Sequence, residues 1–490
     1  MALSFEQKPI NSADKLPVIT NWNPVIGYML YESTISGLFY YKLVLEVYSG
    51  QATTATNLVA KIRQRRNGFP ADNDGATQRA RAFFDLRNII NSLLVDTLYD
   101  QNVTTNKAIH FVGANDNDKI FSENGDKNKF YGDGTTTKTQ ILGCRVRGYQ
   151  NYSNSANTSP TDDTTGAITD DWWYMAASLP LQTARDSDTQ YIQSSTAFDK
   201  YKMNGSTDLF LSDAKTDDGA GAIVQKVQDN DFHTIAFLND RTNFQTELDT
   251  MRIVFYDSSD VLLSLTNIGN STANGGQLPA GVSADSERII YFGCGPGNLE
   301  AFDNGGTNTQ RPSNNSGWAY YKITGVRTTP SELIVSKSYT FIKQDASCKG
   351  YKTRRLAWRN SLGCYDYFNF NMKSTQTIKV ERNTFSTLLG EFSDSVYTYT
   401  NSDRGKNTRQ TTAKVEETLN TDWLEEDDTI LIENLIKSIN VIMIENNDTE
   451  FTQPVMVTDS SFVRKTVAND GVKIQYSIKI EYANPLNTNS

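Results

Sequence analysis

Apolar residues recur at every second position along much of the chain, which is the pattern of half-buried β-strands. The alternation is clearest over residues 39–47, where every odd position is apolar, and over residues 474–482, where every even position is. Further candidate strands lie at residues 24–31, 57–64, 140–148, 172–178, 208–211, 222–227, 233–238, 251–256, 261–266, 288–292, 318–324, 333–335, 377–382, 439–445 and 454–458. The Gly- and Asn-rich connections between the middle strands favour a sandwich or barrel.

Two segments carry a helical period instead. Asp85 is a candidate N-cap, and the apolar residues that follow it up to position 94 fall on one helical face. Asp422 and Glu425 suggest an N-cap with a capping box before a stripe of leucines. We therefore expect a mainly β, multidomain chain, in which small N-terminal and C-terminal α+β units flank a β-sandwich-like middle.

The 490 residues accommodate about three domains at roughly 150 residues each. Residues 1–23 predict an extended N-terminal arm, and residues 24–150 a small α+β domain. Residues 151–340 predict a β-rich middle domain, and residues 341–490 an aromatic hairpin with a C-terminal α+β domain. If the N-terminal arm packs on a neighbouring subunit, deletion of residues 1–15 impairs assembly and leaves the fold intact.

The densest aromatic stretch, residues 356–370, predicts a hairpin whose turn contains Gly363. One interpretation is a buried hairpin; the other is an aromatic outer face that docks on another subunit. Two adjacent tryptophans in the middle domain suggest a part-core, part-interface pair, or a platform for a sugar ring. The resulting interface candidates are Trp358, Tyr365, Tyr367, Phe368, Trp172 and Trp173.

Charge and hydropathy narrow the range of partners. With 47 Lys and Arg against 57 Asp and Glu, the chain has a net charge of -10, which argues against direct wrapping of nucleic acid. No apolar run reaches the roughly 18 residues of a membrane-spanning helix. Residues 1–15 lack the apolar core of a signal peptide, so we expect assembly in a cytoplasm.

The sequence contains no recognisable catalytic motif. The two histidines, His110 and His233, accompany no nucleophile motif, and no phosphate-binding P-loop is present. The glycine-rich residues 293–297 superficially resemble a dinucleotide loop, but Pro296 predicts a bare turn without a following helix. The four cysteines form no CxxC pair, and the paired aspartates lack calcium-loop spacing. We expect no enzyme activity, no cofactor and no metal.

Several segments together resemble virion structural proteins of tailed bacteriophages. They are residues 355–370 (RLAWRNSLGCYDYFNF), 419–426 (LNTDWLEE), 454–461 (PVMVTDSS), 469–480, 39–47 and 82–89. The resemblance implies a non-enzymatic tail, baseplate or neck component of the virion. Such a subunit contacts other virion proteins and its own copies, here expected as a homo-oligomeric ring assembled in the host cytoplasm.

Two alternatives remain open at this point. In the first, the middle segment carries a binding face for a receptor or a host-surface glycan, with Trp173 in the contact. In the second, a pair of carboxylates among the 57 acidic residues degrades a glycan, since any two at the right separation suffice.

Overall fold

The structure, a computed structural model, describes the chain in segments. The described residues are 3–7, 18–19, 26–31, 37–50, 52–65, 80–86, 88–90, 109–113, 119–124, 141–175, 201, 203–219, 224–239, 248–271, 273–274, 288–344, 350–426, 428–444, 452–459 and 474–483.

The described residues divide into two compact units. Unit 1 comprises Met1–Lys343 and Asn360–Asp366, and unit 2 comprises Gln344–Arg359 and Tyr367–Ser490. The division between the two units after Lys343 lies close to the predicted domain boundary at residue 340. The predicted boundaries at 23 and 150 both fall inside unit 1, and the second one interrupts a continuous strand.

Most regular elements in the described part of unit 1 are strands. Its helical elements include residues 88–90, two 3-10 helices (Ile109–Phe111 and Pro312–Asn314) and the α-helix α1 (Pro296–Ala301). Its strands are β1 (Leu3–Gln7), β2 (Val18–Ile19), β3 (Ile26–Tyr31), β4 (Phe39–Tyr48), β5 (Leu58–Arg65), β6 (Ala80–Asp85), β7 (Phe121–Asn124), β8 (Ile141–Ser153), β9 (Thr161–Met175), β10 (Gln225–Val227), β11 (Thr234–Asn239), β12 (Thr250–Tyr256), β13 (Leu262–Gly269), β14 (Arg288–Gly293), β15 (Tyr320–Arg327), β16 (Leu333–Ile334) and β17 (Tyr339–Lys343).

The first core of unit 1 lies between two sheets. A three-stranded sheet in the order β1-β3-β6 and a five-stranded sheet in the order β2-β9-β8-β4-β5 share one hydrophobic cluster. Leu45 and Val146 from the larger sheet and Met29 and Phe84 from the smaller one are fully buried in it. Gly148 permits the close approach of the sheets, because an added Cβ would lie 2.5 Å from the Met29 Cε atom.

The second core of unit 1 repeats this arrangement. A three-stranded sheet in the order β11-β14-β7 shares a cluster with a larger sheet in the order β10-β17-β15-β12-β13, in which β16 also pairs with β15. The predicted hairpin over residues 251–266 is present. The Asp257 carboxylate closes its turn by accepting the backbone N–H groups of Ser259 at 2.8 Å and Val261 at 2.9 Å.

The described part of unit 2 contains one large sheet, one small two-stranded sheet and one helix. The sheet order is β19-β18-β24-β25-β26-β23-β20, and β21 and β22 pair separately. Its strands are β18 (Arg354–Arg359), β19 (Tyr365–Phe370), β20 (Thr375–Ser386), β21 (Glu391–Ser393), β22 (Val396–Thr398), β23 (Lys406–Asn420), β24 (Val441–Ile444), β25 (Thr452–Val457) and β26 (Ser477–Tyr482). The first two residues of β19, Tyr365 and Asp366, are assigned to unit 1. The helix is α2 (Thr429–Lys437), which buries Leu431 and Leu435.

The mainly β, multi-sheet fold predicted from the sequence is confirmed, while both predicted helix starts differ. Asp85 ends β6, residues 88–90 are helical, and the rest of the first predicted helix lies outside the described residues. The second helix begins at Thr429 and not after Asp422. Leu424 exchanges two backbone hydrogen bonds of 2.8 Å with Ile474, and this pairing keeps the preceding segment extended.

The N-terminal segment also differs from a free arm. β1 pairs antiparallel with β3, and β2 pairs parallel with β9, so both described parts of residues 1–23 belong to sheets of the same chain. Leu3 is buried in the first core. The expectation that residues 1–15 are dispensable for the fold therefore does not agree with the structure.

Candidate assembly interface

The hairpin formed by β20 and β23 extends beyond the sheet of unit 2. The two strands pair continuously from Thr375 opposite Thr418 to Ser386 opposite Lys406. Among the described strands, β26 flanks β23 only from Glu416 to Asn420. We call residues 378–415 the arm, because here the two strands have only each other as described neighbours. At about 3.4 Å per residue, the paired part of the arm extends roughly 27 Å.

Both faces of the arm are exposed. Every residue of β20 is exposed, and successive residues in a strand point to opposite faces of the ribbon. One face is apolar near the base of the arm, where Ile378 and Val380 lie opposite Val415 and Ala413. The other face carries charges. An isolated two-stranded ribbon is marginally stable in water, so an arm of this kind gains stability from a surface that covers it.

The end of the arm is an apolar and aromatic turn. We call residues 387–405 the tip; it contains the β21–β22 hairpin. Phe392 is 75% exposed and Leu388 is 74% exposed. The Tyr397 ring lies 5.3 Å from the Phe392 ring and 6.5 Å from the Tyr399 ring, measured between centroids. The tip therefore presents a cluster of neighbouring rings to solvent.

Exposed apolar side chains are concentrated in the arm. Of the 26 large hydrophobic residues that are exposed among the described residues, nine lie within these 38 positions. They are Ile378, Val380, Phe385, Leu388, Leu389, Phe392, Val396, Tyr397 and Tyr399. Single exposed apolar residues are ordinary on protein surfaces, but a contiguous exposed cluster marks an interaction site.

A buried charged network fixes the base of the arm to the sheet. The Glu417 carboxylate has no exposed side-chain surface and accepts hydrogen bonds from Arg354 Nε at 2.8 Å, Gln376 Nε2 at 3.0 Å and the Tyr482 hydroxyl at 2.5 Å. Burial by itself raises the pKa of Glu417, but these three donors and the charge of Arg354 outweigh burial and lower the pKa below its usual value. The network joins β18, β20, β23 and β26 where the arm begins.

The interface candidates predicted from the sequence lie elsewhere and are buried. This holds for Trp358, Tyr365, Tyr367, Phe368 and Trp172, while the side chain of Trp173 lies outside the described residues. The Tyr365 ring contacts the His110 ring at 4.5 Å within unit 1. The Trp172 Nε1–H donates to Asp170 at 3.0 Å. The buried-hairpin interpretation fits the four positions from Trp358 to Phe368, because their side chains are buried.

Unit 1 contains one carboxyl group with unusual chemistry. Asp366 is fully buried; its Oδ1 accepts the Ser212 hydroxyl at 2.6 Å and its Oδ2 accepts the Asp213 backbone N–H at 3.1 Å. Burial, followed by the neighbouring Asp213 carboxylate, raises the pKa of Asp366 to about 7. A raised pKa suits a general acid. However, this side chain has no exposed surface through which to meet a substrate.

The glycine-rich loop after β14 serves packing. The sequence predicted a bare turn over residues 293–297, whereas the six-residue helix α1 follows directly at Pro296. An added Cβ would lie 2.5 Å from the Asp231 carbonyl oxygen at Gly295 and 2.9 Å from the Asn230 carbonyl oxygen at Gly297. The glycines thus allow α1 to approach a neighbouring backbone, which leaves no room there for a phosphate.

The other residues considered for chemistry from the sequence are the histidines, the cysteines and possible metal ligands. His110 and His233 are buried, as are Cys144, Cys294 and Cys364, while Cys348 lies outside the described residues. Within the described ranges, no cluster of three or more His, Cys, Asp or Glu residues has a geometry that holds a metal ion. No helix in the same ranges has both the length and the apolar character needed to cross a membrane.

The arm was not predicted as an interface, although the sequence contains signals for it. Residues 406–415 are rich in β-forming Thr but have no consistently apolar face, which is typical of a ribbon exposed on both sides. The preceding stretch from Phe385 to Tyr399 contains seven large apolar residues, both ends included, although its sequence also resembles a loop. Comparison with known proteins adds no relative: no protein-family model and no curated protein matches the chain.

Proposed function

We propose that this protein is a structural subunit that assembles with its own copies and with neighbouring proteins through the arm, and that it catalyses no reaction. The observation that carries the proposal is the arm's exposure on both faces together with its apolar tip. A contiguous exposed apolar patch marks an interaction site, and an assembling subunit needs such a surface.

The free energy of association favours a closed ring over a dimer that is held by one arm contact. Fully burying a large apolar side chain contributes about 1.5–3 kcal/mol, so four tip side chains contribute at most about 6–12 kcal/mol. Association costs about 4–15 kcal/mol in lost rigid-body freedom and side-chain ordering. A single arm contact is therefore weak. In a ring each copy gives one arm and receives another, and closure gives every subunit two contacts.

The setting that we propose is the virion of a tailed bacteriophage, as a tail, baseplate or neck component. The support is the resemblance of residues 355–370 and of the C-terminal segments to virion structural proteins of such phages, together with the self-association expected of the arm. Receptor binding, glycan binding and glycan degradation stay predictions, since no contact among the described residues favours them.

Replacing the arm tests the proposal. Thr377 pairs with Glu416, so a two-residue Asn-Gly turn can replace residues 378–415 without altering the register of the remaining sheet. We expect the full chain to form a discrete oligomer at micromolar concentration and the shortened chain to sediment as a monomer. A matched control is Ile439→Asp, which changes a side chain of unit 2 that is 77% exposed and lies outside the arm; this variant should still assemble. A shortened chain with an unaltered oligomer would contradict the proposal.

A further inference from the structure

We infer that the side chains of Lys61 and Asp162 join in an intramolecular isopeptide bond, with Glu46 as the group that transfers the protons. The three residues lie on β5, β9 and β4 of the five-stranded sheet of unit 1, so the bond does not depend on the arm. It forms once within each folded chain and is therefore a self-modification, not the turnover of a substrate.

The strand register brings the three side chains together. Glu46 lies directly opposite Lys61 in the pairing of β4 with β5, and Asp162 lies opposite Asn151 in the pairing of β9 with β8. The Lys61 Nζ atom is 2.7 Å from Asp162 Oδ2 and 3.1 Å from Glu46 Oε1. The lysine nitrogen thus contacts the carboxyl group that it attacks, as an intramolecular reaction requires.

Burial distinguishes Glu46 from the two groups that react. The Glu46 side chain is 8% exposed, against 26% for Lys61 and 30% for Asp162. Both Glu46 oxygens are held, Oε2 by the Tyr48 hydroxyl at 2.5 Å and Oε1 by the Tyr149 hydroxyl at 2.7 Å. Glu46 is therefore fixed beside the lysine nitrogen, while the partly exposed reacting pair lets the product water leave.

The reaction balances without an added reagent. The Lys61 ammonium group gives up two protons in turn, and Glu46 passes both to Asp162 Oδ2. The neutral amine attacks the Asp162 carboxyl carbon; a C–N bond forms, the bond from that carbon to Oδ2 breaks, and Oδ2 leaves as water. The Tyr149 hydroxyl, 2.7 Å from Glu46 Oε1 and 3.3 Å from Asp162 Oδ2, connects the two carboxyl groups. Glu46 ends as the carboxylate with which it began.

Asn151 stabilises the charge that develops during the attack. Its Nδ2–H donates to Asp162 Oδ1 at 2.7 Å. Attack on the carboxyl carbon moves negative charge onto Oδ1, and a fixed donor at this oxygen lowers the barrier. The same hydrogen bond then holds the carbonyl oxygen of the amide product. The site thus contains an amine, a carboxyl group, a proton carrier and a donor for the developing charge.

Before the reaction, Lys61 and Asp162 form an ion pair. Burial by itself lowers the pKa of Lys61, but its hydrogen bonds with Asp162, Tyr149 and Glu46 outweigh burial and raise the pKa. Burial by itself raises the pKa of Asp162, but the hydrogen bonds from Lys61 and Asn151 outweigh it and lower the pKa. The neutral pair is a minor form, so we expect the bond to form slowly after folding. The effective molarity of well-oriented groups, on the order of 10⁵–10⁸ M, favours condensation.

The bond braces the sheet across strands that are not neighbours. In the strand order, β8 and β4 lie between β9 and β5. The cross-link closes a loop between residues 61 and 162, and a closed loop restricts the unfolded chain.

Intact mass spectrometry of the denatured full chain tests the inference. The parent should weigh one water molecule less than its sequence, and a protease digest should contain a branched peptide that joins Lys61 to Asp162. Lys61→Arg keeps the positive charge but removes the amine, so this variant should have its full sequence mass. Glu46→Gln should slow the loss of water by at least about tenfold. A parent chain that keeps its full mass after prolonged incubation would overturn the inference.

Lys322→Arg is the matched control. Lys322 Nζ lies 2.6 Å from Asp217 Oδ2 in another ion pair of unit 1, and replacing this lysine should leave the loss of water unchanged. A loss of water that persists in Lys61→Arg would come from another group, such as a cyclised aspartate, and would contradict the inference. The parent mass and the branched peptide decide the outcome even where a variant does not fold.

Discussion

Two buried carboxyl groups, Glu417 and Asp366, respond to burial in opposite ways because their partners differ. Glu417 receives three hydrogen bonds, one of them from the Arg354 guanidinium, and these stabilise its charged form. Asp366 receives a hydroxyl and a backbone N–H but lies near the Asp213 carboxylate, which disfavours a second charge. The first group keeps its charge at neutral pH, and the second titrates near neutrality.

Glu417→Gln should destabilise unit 2 at pH 7. The change leaves the largely buried Arg354 without a counter-charge, and breaking a buried ion pair typically costs about 3–5 kcal/mol. Because the folded-state pKa is lowered, this stabilisation is present above the unfolded pKa and is lost as the pH falls through the folded pKa. Chemical denaturation at pH 7 and at pH 3 measures both effects.

The neighbouring Glu416→Gln is the matched control for this prediction. Glu416 pairs with Lys379, whose side chain is largely exposed, and exposed pairs contribute about 0–1 kcal/mol. Equal losses of unfolding free energy in the two variants would show that the buried network does not anchor the base of the arm.

Asp366→Asn should flatten the pH dependence of stability between about pH 4 and pH 7. With a folded-state pKa raised to about 7, the folded chain binds a proton in this window that the unfolded chain has released. Stability contributed by Asp366 therefore falls as the pH rises through the window, and the asparagine variant lacks this slope. The measurement is the unfolding free energy of the full chain at half-unit pH steps.

Asp303→Asn controls for the removal of any aspartate from unit 1. The backbone N–H of Gly305 and the side chain of Asn308 lower the pKa of Asp303, which is the opposite direction to the shift of Asp366. An Asp366→Asn variant that retained the slope of the parent would contradict the account of Asp366.

At the scale of single elements, the alternation of apolar and polar residues located the strands well. The prediction of an element failed where pairing with a distant segment determines the conformation. Residues 39–47 and 474–482 lie in β4 and β26 with at most a few residues of difference. The alternation in β26 matches one buried face, whereas β4 is buried on both faces from Leu43 to Tyr48. The start of α2 was misplaced because the β-bridge between Leu424 and Ile474 competes with helix formation. No local pattern encodes a partner 50 residues away in the chain.

The arm illustrates the same limit in a strand. Residues 377–382 were predicted as a strand, but β20 continues to Ser386 and β23 begins at Lys406. The alternation is weak in both extensions because neither face is buried in the chain, so the sequence reads as a loop. The prediction of an aromatic interface also lacked information on the burial of each side chain. An aromatic strand has the same sequence pattern in a core as on a surface.

Deletion of residues 1–15 should destabilise unit 1, in contrast to the expectation from sequence alone. The deletion removes β1, which pairs with β3 and buries Leu3. Losing one buried leucine alone costs about 2 kcal/mol or more. Differential scanning calorimetry of the full and shortened chains measures the loss. Leu3→Ala should reproduce at least half of it, and a shortened chain with the stability of the parent would contradict the role of β1.

At the scale of the whole molecule, the arm carries nine of the 26 large hydrophobic side chains that are exposed among the described residues. The sequence suggested a self-assembling subunit through resemblance and through the lack of catalytic motifs. The surface that we propose for assembly could be located only from the strand register and the burial of each side chain.

The central claim is that the arm holds copies of this protein together, and sedimentation velocity tests it most directly. The full chain and the chain with residues 378–415 replaced by Asn-Gly are compared at the same micromolar concentration. The account predicts one discrete oligomer for the full chain and a monomer for the shortened chain. Identical sedimentation of the two chains, whether as monomers or as oligomers, would contradict it.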